Sequence, residues 1–167
     1  CCRLRDIKTE WHLEETEEAV WKLWPVQISD VYCCSPEELQ PGQPGGADWT
    51  FVNNYDDQPL RFRMRVTGRA GEEGYIRNPS LILNGGYVIF MTQVHSGQYL
   101  VYDGDTCGHI YDKNWNLIRT VEASQHPPVI TEGGQVVSLS CEFGGNTRPD
   151  VEVRFITRGQ PEVLRKQ

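Results

Sequence analysis

From Leu60 to Val66 the chain alternates without a fault. Leu60, Phe62, Met64 and Val66 take one set of positions, and Arg61, Arg63 and Arg65 take the other. A period of two puts the apolar side chains on one face of a β-strand and the guanidiniums on the opposite face. No helical winding separates these residues, so the segment demands a sheet with one buried and one wet side. The same alternation returns at Val137, Leu139, Cys141 and Phe143, and at Val151, Val153 and Phe155 with Glu152 and Arg154 interleaved.

Other strand-length runs lie between these, each closed by a turn signal. Trp49 to Asn53 stops at Asn53-Asn54-Tyr55-Asp56-Asp57. Tyr75 to Leu83 leads through Asn84-Gly85-Gly86, a hairpin signal, into Tyr87 to Met91. Gln98 to Tyr102 ends at Asp103-Gly104-Asp105, and His109 to Asp112 and Trp115 to Val121 flank the tight turn Lys113-Asn114. Connections this short hold no crossover helix, which excludes a parallel sheet. The expected fold is all-β: an antiparallel β-sandwich of jelly-roll or galectin-like type over residues 47–167.

Residues 1–46 differ in character. Glu10, Glu14, Glu15, Glu17 and Glu18 mix with Trp11, Trp21 and Trp24, and periodicity does not decide between a helix over Thr16–Trp24 and a strand over Val20–Val31. The expectation is an irregular or short-helical extension that ends in the linker Pro41-Gly42-Gln43-Pro44-Gly45-Gly46. This segment holds nine of the 23 acidic side chains and four of the 16 basic ones, so most of the net charge of −7 lies outside the β domain. The charge balance excludes a general nucleic-acid binder. No apolar run approaches the roughly 18–20 residues of a membrane-spanning helix.

Six cysteines stand at positions 1, 2, 33, 34, 107 and 141. Oxidised pairs in an exported or cell-surface protein and free buried thiols both fit this usage. Cys107–Cys141 is the one bridge open to the β domain by itself. No Cys-x-x-Cys or Cys/His spacing supports zinc. Asp103-Gly104-Asp105 opens like a calcium loop, but Cys107 and Asn114 replace ligands at the fifth and twelfth positions. An Asp/Gly turn explains it better, so no cofactor is expected and calcium is the minor alternative.

Nucleophile and metalloprotease motifs are missing, and His12, His95, His109 and His126 lack motif context. The binding signal is stronger. His109-Ile110-Tyr111-Asp112-Lys113-Asn114-Trp115-Asn116 collects aromatics and hydrogen-bonding groups in one hairpin. Sugar rings stack an apolar face on aromatics and present a polar rim to Asn, Asp, His or Arg. The candidate contacts are Trp115 and Tyr111 for stacking, and Asp112, Asn114, His109, Arg63 and Arg154 for hydrogen bonds.

Asn78-Pro79-Ser80-Leu81, Ser96-Gly97-Gln98-Tyr99-Leu100-Val101-Tyr102-Asp103-Gly104, Ile110 to Asn116 and Val151-Glu152-Val153-Arg154-Phe155 are similar, in order and spacing, to C-terminal β-sandwich modules of secreted polysaccharide-degrading enzymes. The outline also resembles the galectin-like domain of siphophage distal tail proteins. The likeness covers about residues 48–160. It implies a non-catalytic carbohydrate-binding or accessory domain of a larger carbohydrate-active protein, with a poly- or oligosaccharide as partner. It transfers no catalytic residue. The alternatives are an assembly module that packs on a catalytic domain or tail ring, and a fragment of a glycoside hydrolase or polysaccharide lyase.

Overall fold

The computed structural model describes residues 8–15, 20–29, 32–34, 44–68, 73–124, 126–145 and 149–165. Their regular structure is entirely β, and the strands number sixteen. The first five are β1 (Lys8–Glu15), β2 (Val20–Ile28), β3 (Tyr32–Cys34), β4 (Pro44–Asn53) and β5 (Gln58–Pro59). Next come β6 (Phe62–Thr67), β7 (Gly74–Leu83), β8 (Gly86–Phe90), β9 (Gln93–His95), β10 (Tyr99–Tyr102) and β11 (Cys107–Tyr111). The chain continues through β12 (Leu117–Ser124), β13 (Val129–Ile130), β14 (Gly133–Gly145), β15 (Asp150–Arg158) and β16 (Glu162–Arg165). Among the described residues no helix is long and apolar enough to cross a membrane.

One antiparallel sheet runs in the order β1-β2-β15-β6-β10-β11-β12-β8-β7-β14-β4, with β16 added to β2, β3 to β15 and β9 to β7. It becomes a sandwich by curling at β12. Leu117 to Glu122 of that strand pair with β11, while Ala123 and Ser124 pair with β8. The half containing β15, β6, β10 and β11 therefore lies over the half containing β8, β7, β14 and β4.

Between the halves sit the alternating residues. Leu60, Phe62, Met64 and Val66 are fully buried, and so are Val137, Leu139, Cys141, Phe143, Val151, Val153 and Phe155 to within a few percent. Each such apolar side chain contributes about 1.5–3 kcal/mol by leaving water. At the centre Phe62, Phe90 and Tyr102 meet edge to face or tilted, with centroids 5.1–6.0 Å apart. Across the sandwich, Phe51 of the terminal strand β4 stacks on Phe155 of β15 at 4.7 Å and 7°. The β7–β8 hairpin takes the expected two-residue turn, with Asn84 at φ 50° and Gly85 at φ 76°. Positive φ at both positions is the geometry that matches the strand twist.

In the N-terminal region the strand alternative is the one observed over Val20–Ile28, and β1 and β3 are strands as well, so the described part is neither irregular nor helical. Residues 16–19 and 30–31 lie outside the described residues. The physical reason is the open edge of β15. Its unpaired amides and carbonyls accept β2 at Ile156–Arg158 and β3 at Val151–Val153. Pro44, Gly45 and Gly46, read as linker, instead open β4 opposite Glu142, Cys141 and Ser140. Proline is tolerated there because the first residue of a strand can forgo a ladder bond. Residues 41–43 lie outside the description. The Cys107–Cys141 bridge is not formed, and Cys107 carries a free thiol.

Candidate functional site

Because Phe62, Met64 and Val66 face the core, Arg63 and Arg65 must stand on the outer face of β6. Pairing extends that face into two rows. Glu152, Arg65, Tyr99 and Tyr111 lie opposite one another across β15, β6, β10 and β11. Arg154, Arg63, Val101 and His109 form the neighbouring row, which Thr120 of β12 extends. Residues far apart in sequence thus share one surface.

The β11–β12 loop places an aromatic over the first row. The Asp112 carboxylate accepts hydrogen bonds from the backbone N–H of Asn114 at 2.8 Å and of Asn116 at 2.9 Å, and from Asn116 Nδ2 at 3.2 Å. The Trp115 N–H donates to the Asp112 carbonyl at 3.0 Å. These bonds, the backbone N–H of Asn116 first, hold the Asp112 carboxyl below the usual carboxylate range. The tight loop sets Trp115 at φ 63°, in the left-handed region. Its indole turns back over Tyr99, with ring centroids 4.3 Å apart and planes 24° apart, and also meets Tyr111 at 5.7 Å. Almost half of Trp115 (49%) remains exposed, so part of the indole is open to solvent. Arg65 lies over Tyr99, its Cζ 5.6 Å from the ring centre.

Between these side chains is a shallow groove of about 220 Å³, lined by Arg63, Met64, Arg65, Tyr99, Trp115, Glu152 and Arg154. Three of the expected contacts, Trp115, Arg63 and Arg154, come together here. Tyr111 packs beside Trp115 without lining the groove. His109 is one row away, with Nδ1 3.1 Å from Thr120 Oγ1. Asp112 and Asn114 shape the loop beneath the indole, and neither lines the groove.

Met64, Arg65, Tyr99 and Glu152 complete the lining although none was assigned a ligand role. The signal for Arg65 and Glu152 was present, since each shares its strand face with Arg63 or Arg154. Tyr99 could be placed only through its pairing with Arg65 and Tyr111.

The chemistry of the groove is three guanidiniums, one carboxylate and an aromatic platform. Among the described residues no three His, Cys, Asp or Glu side chains are grouped to hold a metal ion. Asp105, from the calcium-like stretch, accepts hydrogen bonds from the backbone N–H and hydroxyl of Thr106. Those bonds, the backbone N–H foremost, lower its pKa. Fold and site together define an all-β sandwich with an open aromatic and arginine-lined groove on one outer face. Compared with known proteins, the chain matches no family model, no curated protein and no solved structure.

Proposed function

We propose that this chain is a non-catalytic carbohydrate-binding or accessory β-sandwich module of a larger carbohydrate-active protein, working outside the cell or at its surface. The observation that carries the reading is Trp115. A large aromatic is held half exposed by a dedicated Asp112 turn, in a backbone conformation disfavoured for it, beside a row of hydrogen-bond donors. Strained residues that the surroundings hold in place tend to mark functional positions. An exposed indole face suits the apolar face of a pyranose, and guanidinium forks suit its hydroxyl rim. The groove is shallow and holds one carboxylate, Glu152, whereas glycoside hydrolysis ordinarily needs two flanking the scissile bond.

Titration calorimetry against a panel of neutral and acidic polysaccharides tests the reading. Binding to at least one, weakened about tenfold or more by Trp115→Ala, is the expected result; a tenfold loss corresponds to about 1.4 kcal/mol. No binding across the panel, or binding that ignores Trp115→Ala, overturns it.

The assembly-module reading draws on a different surface. Val52, Ile82, Tyr87, Val129 and Val136 are exposed apolar residues on or beside the β4-β14-β7-β8 half, away from the groove. Of the N-terminal tryptophans, which this reading would dock on a partner, Trp24 is half-buried under the Arg158 guanidinium, 4.5 Å from the ring centre. The side chains of Trp11 and Trp21 lie outside the described residues. Self-association or co-purification with a catalytic domain, abolished by Val136→Lys, is the outcome this reading expects.

A further inference from the structure

The groove contains a charge arrangement that a neutral sugar does not require. Arg63 and Arg154 are register partners on β6 and β15, and both are exposed. Like charges directly opposite on neighbouring strands destabilise a sheet. Elsewhere on the surface, register partners with opposite charge close on each other. Arg77 and Glu142, paired across β7 and β14, form an ion pair at 2.6 Å. The nearby arginines also have occupations: Arg61 donates to Gln58 Oε1 at 3.2 Å, Arg65 lies on Tyr99 and Arg158 on Trp24. Among the described residues, Arg63 and Arg154 have neither an ion pair nor a hydrogen bond for their guanidiniums. The one carboxylate of the groove, Glu152, stands opposite Arg65 instead.

We infer that the groove selects an acidic saccharide, with Arg63 and Arg154 together gripping a carboxylate or sulfate substituent while a sugar ring lies against Trp115. The inference rests on the carbohydrate-binding reading and adds the class of sugar. Two planar forks side by side match an oxyanion with two or three acceptor oxygens, and charge-assisted bonds of this kind are about twice as strong as neutral ones. An anion between them also removes the repulsion that the sheet otherwise bears. Nucleic acid is the less favoured polyanion, because the chain as a whole carries net −7.

The test is calorimetric titration of the whole chain with charged and neutral forms of the same backbones. The probes are polygalacturonate against its carboxyl-reduced form and dextran sulfate against dextran, with alginate, hyaluronan and a single-stranded oligonucleotide alongside. The expected result is binding to the carboxylated or the sulfated polymer and at least tenfold weaker binding to its neutral counterpart, the two pairs telling carboxylate from sulfate. Arg63→Ala and Arg154→Ala should each weaken binding at least tenfold and flatten its salt dependence. Thermal stability should hold or rise in both, because each removes the like-charge contact; a merely structural arginine would lower it.

Equal affinity for charged and neutral forms, or tight binding to neutral polysaccharides alone, overturns the acidic-sugar inference and leaves the module reading standing. Binding to none of the saccharides overturns both. Arginine-dependent binding to the oligonucleotide that matches or exceeds the acidic polysaccharides overturns this inference in favour of a nucleic-acid site.

Discussion

At the scale of single residues, two aromatics show how differently the same chemistry is used. Trp115 sits in a left-handed conformation that costs about 1–2 kcal/mol for a residue with a side chain. Its stack on Tyr99 recovers about 0.5–1.5 kcal/mol of this beyond the burial of half the indole. Tyr102 is the opposite case. Its ring fills the centre of the core and its hydroxyl donates to the Asp105 carbonyl at 3.0 Å. Burial, reinforced by the nearby Asp105 charge, pushes the phenol from 10.0 up to about 12. The folded chain then retains this proton where the unfolded chain has released it. The stability Tyr102 supplies is complete below pH 10.0 and is lost as pH rises towards about 12. Urea unfolding across that window should show a steep alkaline decline in the native chain and a shallower one in Tyr102→Phe; parallel declines would refute the assignment.

At the scale of strands, alternation carried the prediction of β6, β14 and β15, because each has one face in the core and one in water. Glycine marks where two elements come closest. A Cβ on Gly108 of β11 would lie 2.7 Å from Phe90 Cε1 and 3.0 Å from Leu100 Cδ1, both within the closed core. Gly108→Ala should therefore destabilise by about 1–3 kcal/mol through overpacking, read as a lower urea midpoint with unchanged slope. A neutral result would mean the core adjusts at that point. The acidic, Trp-rich stretch around β1 and β2 shows no clean period of two. Its strands are set by the free edge of β15 that they complete, and a partner edge cannot be read from the segment itself. The candidate site divides along the same line. Arg63 and Arg154 were legible as outward-facing, while their adjacency depends on pairing between strands at opposite ends of the domain.

At the scale of the molecule, the sandwich is one sheet whose two halves must be brought together. Partner exchange at β12 folds it over, and Phe51 and Trp49 of the terminal strand β4 hold it against Phe155 of β15. A second tie is polar. Gln58 donates to the Arg158 carbonyl at 3.0 Å and accepts from the Arg158 N–H at 2.8 Å, which anchors β5 to the end of β15. Phe155→Ala should cost about 3–5 kcal/mol, the usual range for emptying a large aromatic site. Because Arg154 is its neighbour on β15, the same variant should also weaken saccharide binding. Chemical denaturation together with titration of the best-bound polysaccharide checks both. A loss under about 1 kcal/mol would show that the sheet closes without this contact.

The sequence by itself determined that residues 47–167 are β and antiparallel, that the alternating apolar residues of β6, β14 and β15 face the core, and that arginines stand on the wet face of β6. These follow from period-two alternation and turn chemistry, both local properties of the chain. Tertiary structure alone decided the order of the strands, the curl at β12, the recruitment of the N-terminal strands and the contents of the groove. Register between distant strands is a property of pairs, set by which edges meet and which cores close, so no single segment encodes it. That is why Trp115 and the arginines of the outer face could be proposed separately, while the place of Tyr99 and the Arg63–Arg154 pairing emerged only when the strands were laid side by side.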